Sequence, residues 1–143
     1  MKIKRIDRLE TWDIISILEM SSLIRDEDYI PKDYVCYLSN RISSPEIAFF
    51  GVFNEDDLVG FIHCERGHPI LRKYGWIVLS IMTPGLDKKY PEEALRAAES
   101  WFLENGASAW QLLTKRSERA LERSYGAQVD PERKLMVKVL KDE

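Results

Sequence analysis

Between residues 47 and 82 the chain carries three apolar runs of seven residues each, Ile47–Phe53, Leu58–Cys64 and Trp76–Met82, rich in β-branched and aromatic side chains. Runs of that length and composition, bounded by turn-forming residues, form strands rather than helices, so the middle of the chain predicts a sheet. The first two are joined by Asn54-Glu55-Asp56-Asp57, a polar tetrapeptide of hairpin length, which predicts an antiparallel pair. Gly67, His68 and Pro69 break the chain before the third run. Its near-continuous apolar character predicts a strand covered on both faces, near the centre of the sheet.

Helical signals flank this block. Lys2 to Ile6 predicts a short first strand, and Trp12 to Leu23 then follows helical spacing, with Trp12, Ile15 and Leu18 on one stripe widened by Ile14 and Ile17. Thr11 is the expected N-cap, with Asp13 in the positive first turn. Pro31 opens a second helix to Asn40. Pro91 to Asn105 is the clearest helix, with proline at its first position, Glu92 and Glu93 in the first turn, and Asn105-Gly106 as a left-handed stop. Leu95, Ala98 and Phe102 give it one apolar face for the sheet. Ser108–Leu113 predicts a strand, Ser117–Tyr125 a short helix ended by Gly126, and Leu135–Leu140 a final strand. The expected fold class is α/β (mixed α+β): a central mixed sheet flanked by helices in the order β-α-α-β-β-β-α-β-α-β.

At 143 residues the chain predicts one domain, 1–143, able to bury its own core without metal or disulfides. With 21 basic against 24 acidic residues, a net charge of -3 gives no general attraction to nucleic acid or anionic lipid. The four Trp fall inside apolar runs, which suits packing better than base stacking. No apolar stretch approaches the ~18 residues of a membrane span, no secretion signal is visible, and two cysteines, Cys36 and Cys64, make no disulfide framework, so a cytoplasmic location is expected. Both cysteines read as small buried hydrophobes. His63 and Cys64, adjacent in a strand, point to opposite faces and with His68 fit no zinc spacing, so no metal is expected. No nucleotide-binding glycine motif or G-x-S-x-G elbow occurs.

The opening Ile3-Lys4-Arg5-Ile6, the strand Leu58-Val59-Gly60-Phe61-Ile62, and above all the segment from Val78, Ser80, Met82 and Pro84 through Ala94-Leu95 to Glu99, Trp101 and Asn105-Gly106-Ala107 resemble the GNAT acetyltransferase superfamily over almost the whole chain. That resemblance implies an N-acyltransferase using acetyl-coenzyme A or another acyl-coenzyme A, with direct attack of a small-molecule or peptide amine on the thioester. It also implies an R/Q-x-x-G-x-G/A turn whose amides cradle the coenzyme pyrophosphate at a helix N-terminus. In register, Asp87, Tyr90 and Glu92 replace the Arg/Gln, the first Gly and the second Gly/Ala, and Pro91 removes one amide. A Glu92 carboxylate about 4 Å from a phosphate costs up to ~4 kcal/mol at an effective dielectric of 20, unless it faces solvent. Lys88 and Lys89 offer side-chain charge instead.

By the same resemblance, coenzyme-binding candidates are the peptide groups of Ile81, Met82 and Thr83 at the strand end, with Lys88, Lys89 and Tyr90 in the turn. Glu65 and Glu46 are candidate bases, and both also read as surface acids. Tyr125 is the candidate proton donor, although the family's usual tyrosine position holds Glu122, and Tyr125 equally reads as a core residue with its hydroxyl at the rim. Lys115, Arg116, Arg119 and Arg123 form either a positive edge toward the coenzyme's distal end or a solvated face. The alternative to an enzyme is a non-catalytic GNAT-like binding module that has lost the coenzyme, with a homodimer through an exposed sheet edge as one form.

Overall fold

The computed structural model describes residues 1–23, 29–114, 118–133 and 135–141. Its elements run β1 (Lys2–Ile6), α1 (Thr11–Ser21), α2 (Pro31–Arg41), β2 (Ile47–Asn54), β3 (Asp57–Glu65), a single 3-10 turn at Pro69–Leu71, β4 (Tyr74–Met82), α3 (Lys89–Glu104), β5 (Ala109–Gln111) and α4 (Glu118–Tyr125). The strands form one sheet in sequence order; β1 to β4 are mutually antiparallel neighbours and β5 lies parallel to β4. It is a mixed sheet, because the α3 crossover returns the chain to the same end before β5 begins.

Alternation along the strands sorts the core into two layers. Ala48, Phe50, Val52, Ile62, Cys64 and Ile77 pack against α3 through Ala94, Leu95, Ala98, Trp101 and Phe102. On the other face Phe49, Phe53, Phe61, Leu79 and Ile81 meet Ile17 and Met20 of α1 and Val35 and Leu38 of α2. Gly75 in β4 leaves room for a side chain of α3: a Cβ there would lie 2.3 Å from two ring carbons of Phe102. Gly106, at φ +86, ends α3 in the left-handed conformation that glycine adopts without steric penalty.

Several expectations are corrected. The strands covered on both faces are β2 and β3, whereas β4 lies one from the edge with Trp76 and Val78 exposed, because three-residue β5 covers little of it. The α1 stripe of Trp12, Ile15 and Leu18 faces outward, and the buried side is Asp13, Ile17, Met20 and Ser21. With apolar residues almost all round this helix, spacing could not choose which arc meets the sheet. The N-cap is Glu10 rather than Thr11, and Asp13 Oδ2 accepts its backbone N–H at 2.9 Å. Cys36 is exposed, since α2 buries Val35 and Leu38 instead. Leu135–Leu140 forms no strand and is exposed. Its alternating apolar pattern suits a strand, but a strand also requires a neighbour to supply the hydrogen-bond ladder. Among the described residues no helix is long and apolar enough to cross a membrane.

Candidate active site

β4 and β5 stay together for three residue pairs, Tyr74–Trp76 against Ala109–Gln111, and β4 then runs on to Met82 while the described part of β5 ends. At the point of departure β4 bulges. Leu79 is opposite His63 and Ile77 opposite Cys64, which makes Val78 the extra residue, and such a bulge bends a strand away from its neighbour. Farther along, the Thr83 N–H donates to Val59 O at 3.0 Å. Peptide groups alternate sides along an antiparallel ladder, so those of Ile81 also face β3, while those of Met82 turn to the edge that β5 leaves behind. Of the three strand-end candidates, Met82 alone addresses the cleft through its backbone.

On the α3 side of this opening stands Tyr125. Its ring meets Trp110 edge-on at 6.2 Å and its hydroxyl lies 2.7 Å from the Ser80 hydroxyl on β4. The chain stop at Gly126, φ +67, fixes the tyrosine as the last residue of α4 and lets it reach across the gap between strands.

On the opposite side a cavity of about 750 Å³ opens, walled by Tyr29, Tyr34, Trp76 and Leu79 among others, with Glu65 at the end of β3. Glu65 is held by a relay that begins in the core. The Tyr34 hydroxyl is 2.8 Å from Nδ1 of His63, an imidazole with no exposed surface, and His63 Nε2 is 3.1 Å from Glu65 Oε2. The Tyr37 hydroxyl donates to the same Oε2 at 2.7 Å. When Tyr34 donates to Nδ1, the imidazole hydrogen lies on Nε2, within ion-pair distance of the carboxylate but not aligned into a hydrogen bond. Burial opposes the charge on Glu65, but His63 and Tyr37 outweigh it and hold the carboxyl below its usual range. Burial likewise pushes the Tyr34 phenol well above its ordinary value, and the neighbouring Tyr29 adds to this. The Cys64 thiol, also driven up by burial, points into the α3-side core and takes no part.

The other candidate base is differently placed. Glu46 accepts from Arg72 at 2.8 Å and Arg66 at 3.4 Å, one oxygen to each, and the Arg72 hydrogen bond holds its carboxyl below the usual range. Both oxygens are paired with guanidinium groups, and Glu46 is outside the lining of the cavity, which one of its partners, Arg66, helps to form.

The turn into α3 is largely self-capped. Asp87 Oδ1 accepts the Lys89 N–H at 3.1 Å, Asp87 O accepts that of Tyr90, Lys88 O accepts that of Glu92, and Pro91 has none to give. Lys88 is exposed; the Lys89 ammonium lies over the Tyr90 ring at 5.0 Å, and Tyr90 packs against the α3-side core. Glu92 faces solvent. Of the expected basic edge, Lys115 and Arg116 lie outside the described residues, and Arg119 and Arg123 are exposed on α4.

The structure thus groups Glu65 with the cavity and sets Tyr125 and Met82 at the cleft, while Lys88, Lys89 and Tyr90 stand at the α3 turn. Sequence reasoning missed Tyr34, Tyr37, His63 and Ser80. Tyr34 and Tyr37 are three apart on an amphipathic helix, a spacing that puts them on one face, but only the sheet packing shows that this face meets His63.

No protein-family model and no curated protein matches the sequence. Solved structures do. An aminoglycoside antibiotic 6'-N-acetyltransferase from Acinetobacter haemolyticus superposes with TM-score 0.73 at 12% identity, covering 100% of both chains. A predicted acetyltransferase with acetyl-CoA from Clostridium acetobutylicum gives 0.71 at 14% identity over 95% of each chain. A GNAT-family acetyltransferase from Streptococcus pneumoniae gives 0.67 at 15% identity over 99% of this chain and 98% of the other. At these identities the likeness is one of fold, and the fold is that of the GNAT acetyltransferases.

Proposed function

We propose that this chain, built on the GNAT fold, transfers an acyl group from an acyl-coenzyme A, acetyl-coenzyme A in the first instance, to an amine seated in the cavity beside Glu65. The observation that carries the reading is the parting of β4 from β5 after Trp76, with a carboxylate-bearing cavity on one side of the opening and the Tyr125 hydroxyl on the other. The coenzyme supplies a thioester whose C–S bond breaks as the amine nitrogen bonds to the carbonyl carbon. Glu65 holds the incoming ammonium and takes the proton it must lose, while His63, backed by Tyr34, keeps the carboxylate aimed. Met82 offers its peptide groups to the extended arm of the coenzyme as a neighbouring strand would. Tyr125 gives its proton to the departing thiolate.

The cleft suits the thiol-bearing arm better than the α3 turn suits the diphosphate. Amides that ordinarily cradle phosphate are spent on Asp87 and Lys88, which leaves the ammonium groups of Lys88 and Lys89 as the positive charge there. Weak, salt-sensitive coenzyme binding follows. The same turn favours the second reading, a binding module that has dropped the coenzyme. Melting curves with and without coenzyme A separate the two. At a hundred times its dissociation constant the ligand adds about 2.7 kcal/mol, a rise of about 9 °C for a chain of this size. Lys88→Ala with Lys89→Ala abolishes that rise. The absence of any shift at millimolar coenzyme refutes the acyltransferase reading, and a shift that survives the double substitution refutes the phosphate assignment.

A further inference from the structure

Glu65 divides its two oxygens unequally. Oε2 accepts from Tyr37 and has His63 Nε2 at 3.1 Å, and Oε1 has no protein partner among the described residues. It is also the one carboxylate among the residues lining the cavity, which otherwise include the cationic Arg66 and the imidazole of His68. Apart from Thr114, the remaining wall is aromatic and aliphatic, Tyr29, Tyr34, Trp76, Leu79 and Leu113 among them. One available carboxylate oxygen in an apolar chamber matches one ammonium on an apolar body. A second or third ammonium enters the same space without a counter-charge of its own, since the Arg66 guanidinium there is cationic and already paired with Glu46, and apolar walls do not offset that desolvation.

We infer that the acceptor is a primary monoamine with a hydrophobic or aromatic body, its ammonium on Glu65 Oε1 and its body against Trp76 and Tyr34, and that polyamines and aminosugars are excluded. This rests on the acyltransferase reading for the word acceptor, whereas the recognition itself rests on the cavity. A chamber of about 750 Å³ is within the range of small-molecule sites and holds an arylalkylamine with room for the acyl end.

The test is calorimetric titration of the full chain with 2-phenylethylamine, spermidine and tobramycin, alongside thiol release from acetyl-coenzyme A with each amine. The expected result is at least tenfold tighter binding of 2-phenylethylamine than of either polycation, lost at least tenfold in Glu65→Gln. Leu113→Glu, at an exposed wall position, adds a second carboxylate and moves the preference toward spermidine. Equal or tighter binding of a polycation by the unmodified chain, or no binding of any amine, overturns the inference. Selective 2-phenylethylamine binding without thiol release upholds the recognition and refutes acyl transfer. Thiol release driven best by spermidine does the reverse.

Discussion

Tyr34→Phe deletes one hydroxyl, 2.8 Å from Nδ1 of an imidazole that has no exposed surface. Water cannot replace the lost partner without opening the core between α2 and β3, so His63 keeps a buried ring nitrogen unsatisfied, at a cost of about 1–3 kcal/mol. For 143 residues the unfolding entropy is about 0.3 kcal/mol per kelvin, which turns that loss into a fall in Tm of about 3–10 °C. His63→Leu alone strands the Tyr34 hydroxyl and removes one support of Glu65. Tyr34→Phe combined with His63→Leu removes both halves of the contact, so the two losses are less than additive by about 0.5–3 kcal/mol. Urea unfolding of the four proteins at pH 7, fitted with a common m-value, measures this coupling. A Tyr34→Phe protein within about 0.3 kcal/mol of the parent, or a strictly additive cycle, shows that the hydroxyl does not serve the imidazole and breaks the relay to Glu65.

Three other outcomes are open to measurement. Because the Glu65 carboxyl is held below its usual value in the folded chain, its contribution to stability is complete above the unfolded value of about 4.3 and is lost as pH falls through the lower folded value; Glu65→Gln flattens that part of the urea midpoint-versus-pH curve, and an unchanged curve contradicts the assignment. Tyr125→Phe lowers kcat for thiol release about 10²–10⁴-fold with KM little changed, and a loss confined to KM argues against proton donation. Asp87→Ala removes the acceptor of the Lys89 N–H, costing about 1 kcal/mol in stability, and tightens coenzyme A binding about threefold by removing one like charge at roughly 6 Å in near-aqueous surroundings. Unaltered affinity in that variant places the phosphates elsewhere.

The elements were largely legible because each is specified by neighbours in sequence. Pro31 and Gly106 mark helix ends through their own backbone restrictions, Pro91 falls in the first turn of α3 two residues after its start at Lys89, and the runs beginning at Ile47 and Leu58 carry strand composition over their full length. Glu65 and Tyr125 could be singled out because the resemblance asks for a base and a proton donor, and these are the carboxylate at the end of the hairpin strand and the phenol near the end of the short helix. Which arc of α1 would be buried, and which of two carboxylates would meet a cavity, could not be read this way. Trp12 and Ile17 are equally apolar, and Glu46 and Glu65 equally acidic; what separates them is the packing of α1 on the sheet and two guanidinium groups from residues 66 and 72.

By itself, then, the amino-acid order determined the succession of helices and strands as far as α4, the hairpin, and the absence of a glycine cradle before α3, since these depend on torsional preference and periodicity within a few residues. Only the tertiary structure decided that β4 parts from β5 after Trp76, that Tyr34 and His63 meet across 29 positions, and that Arg66 and Arg72 converge on Glu46. Contacts between distant segments are set by packing, and packing has no periodic trace in a sequence.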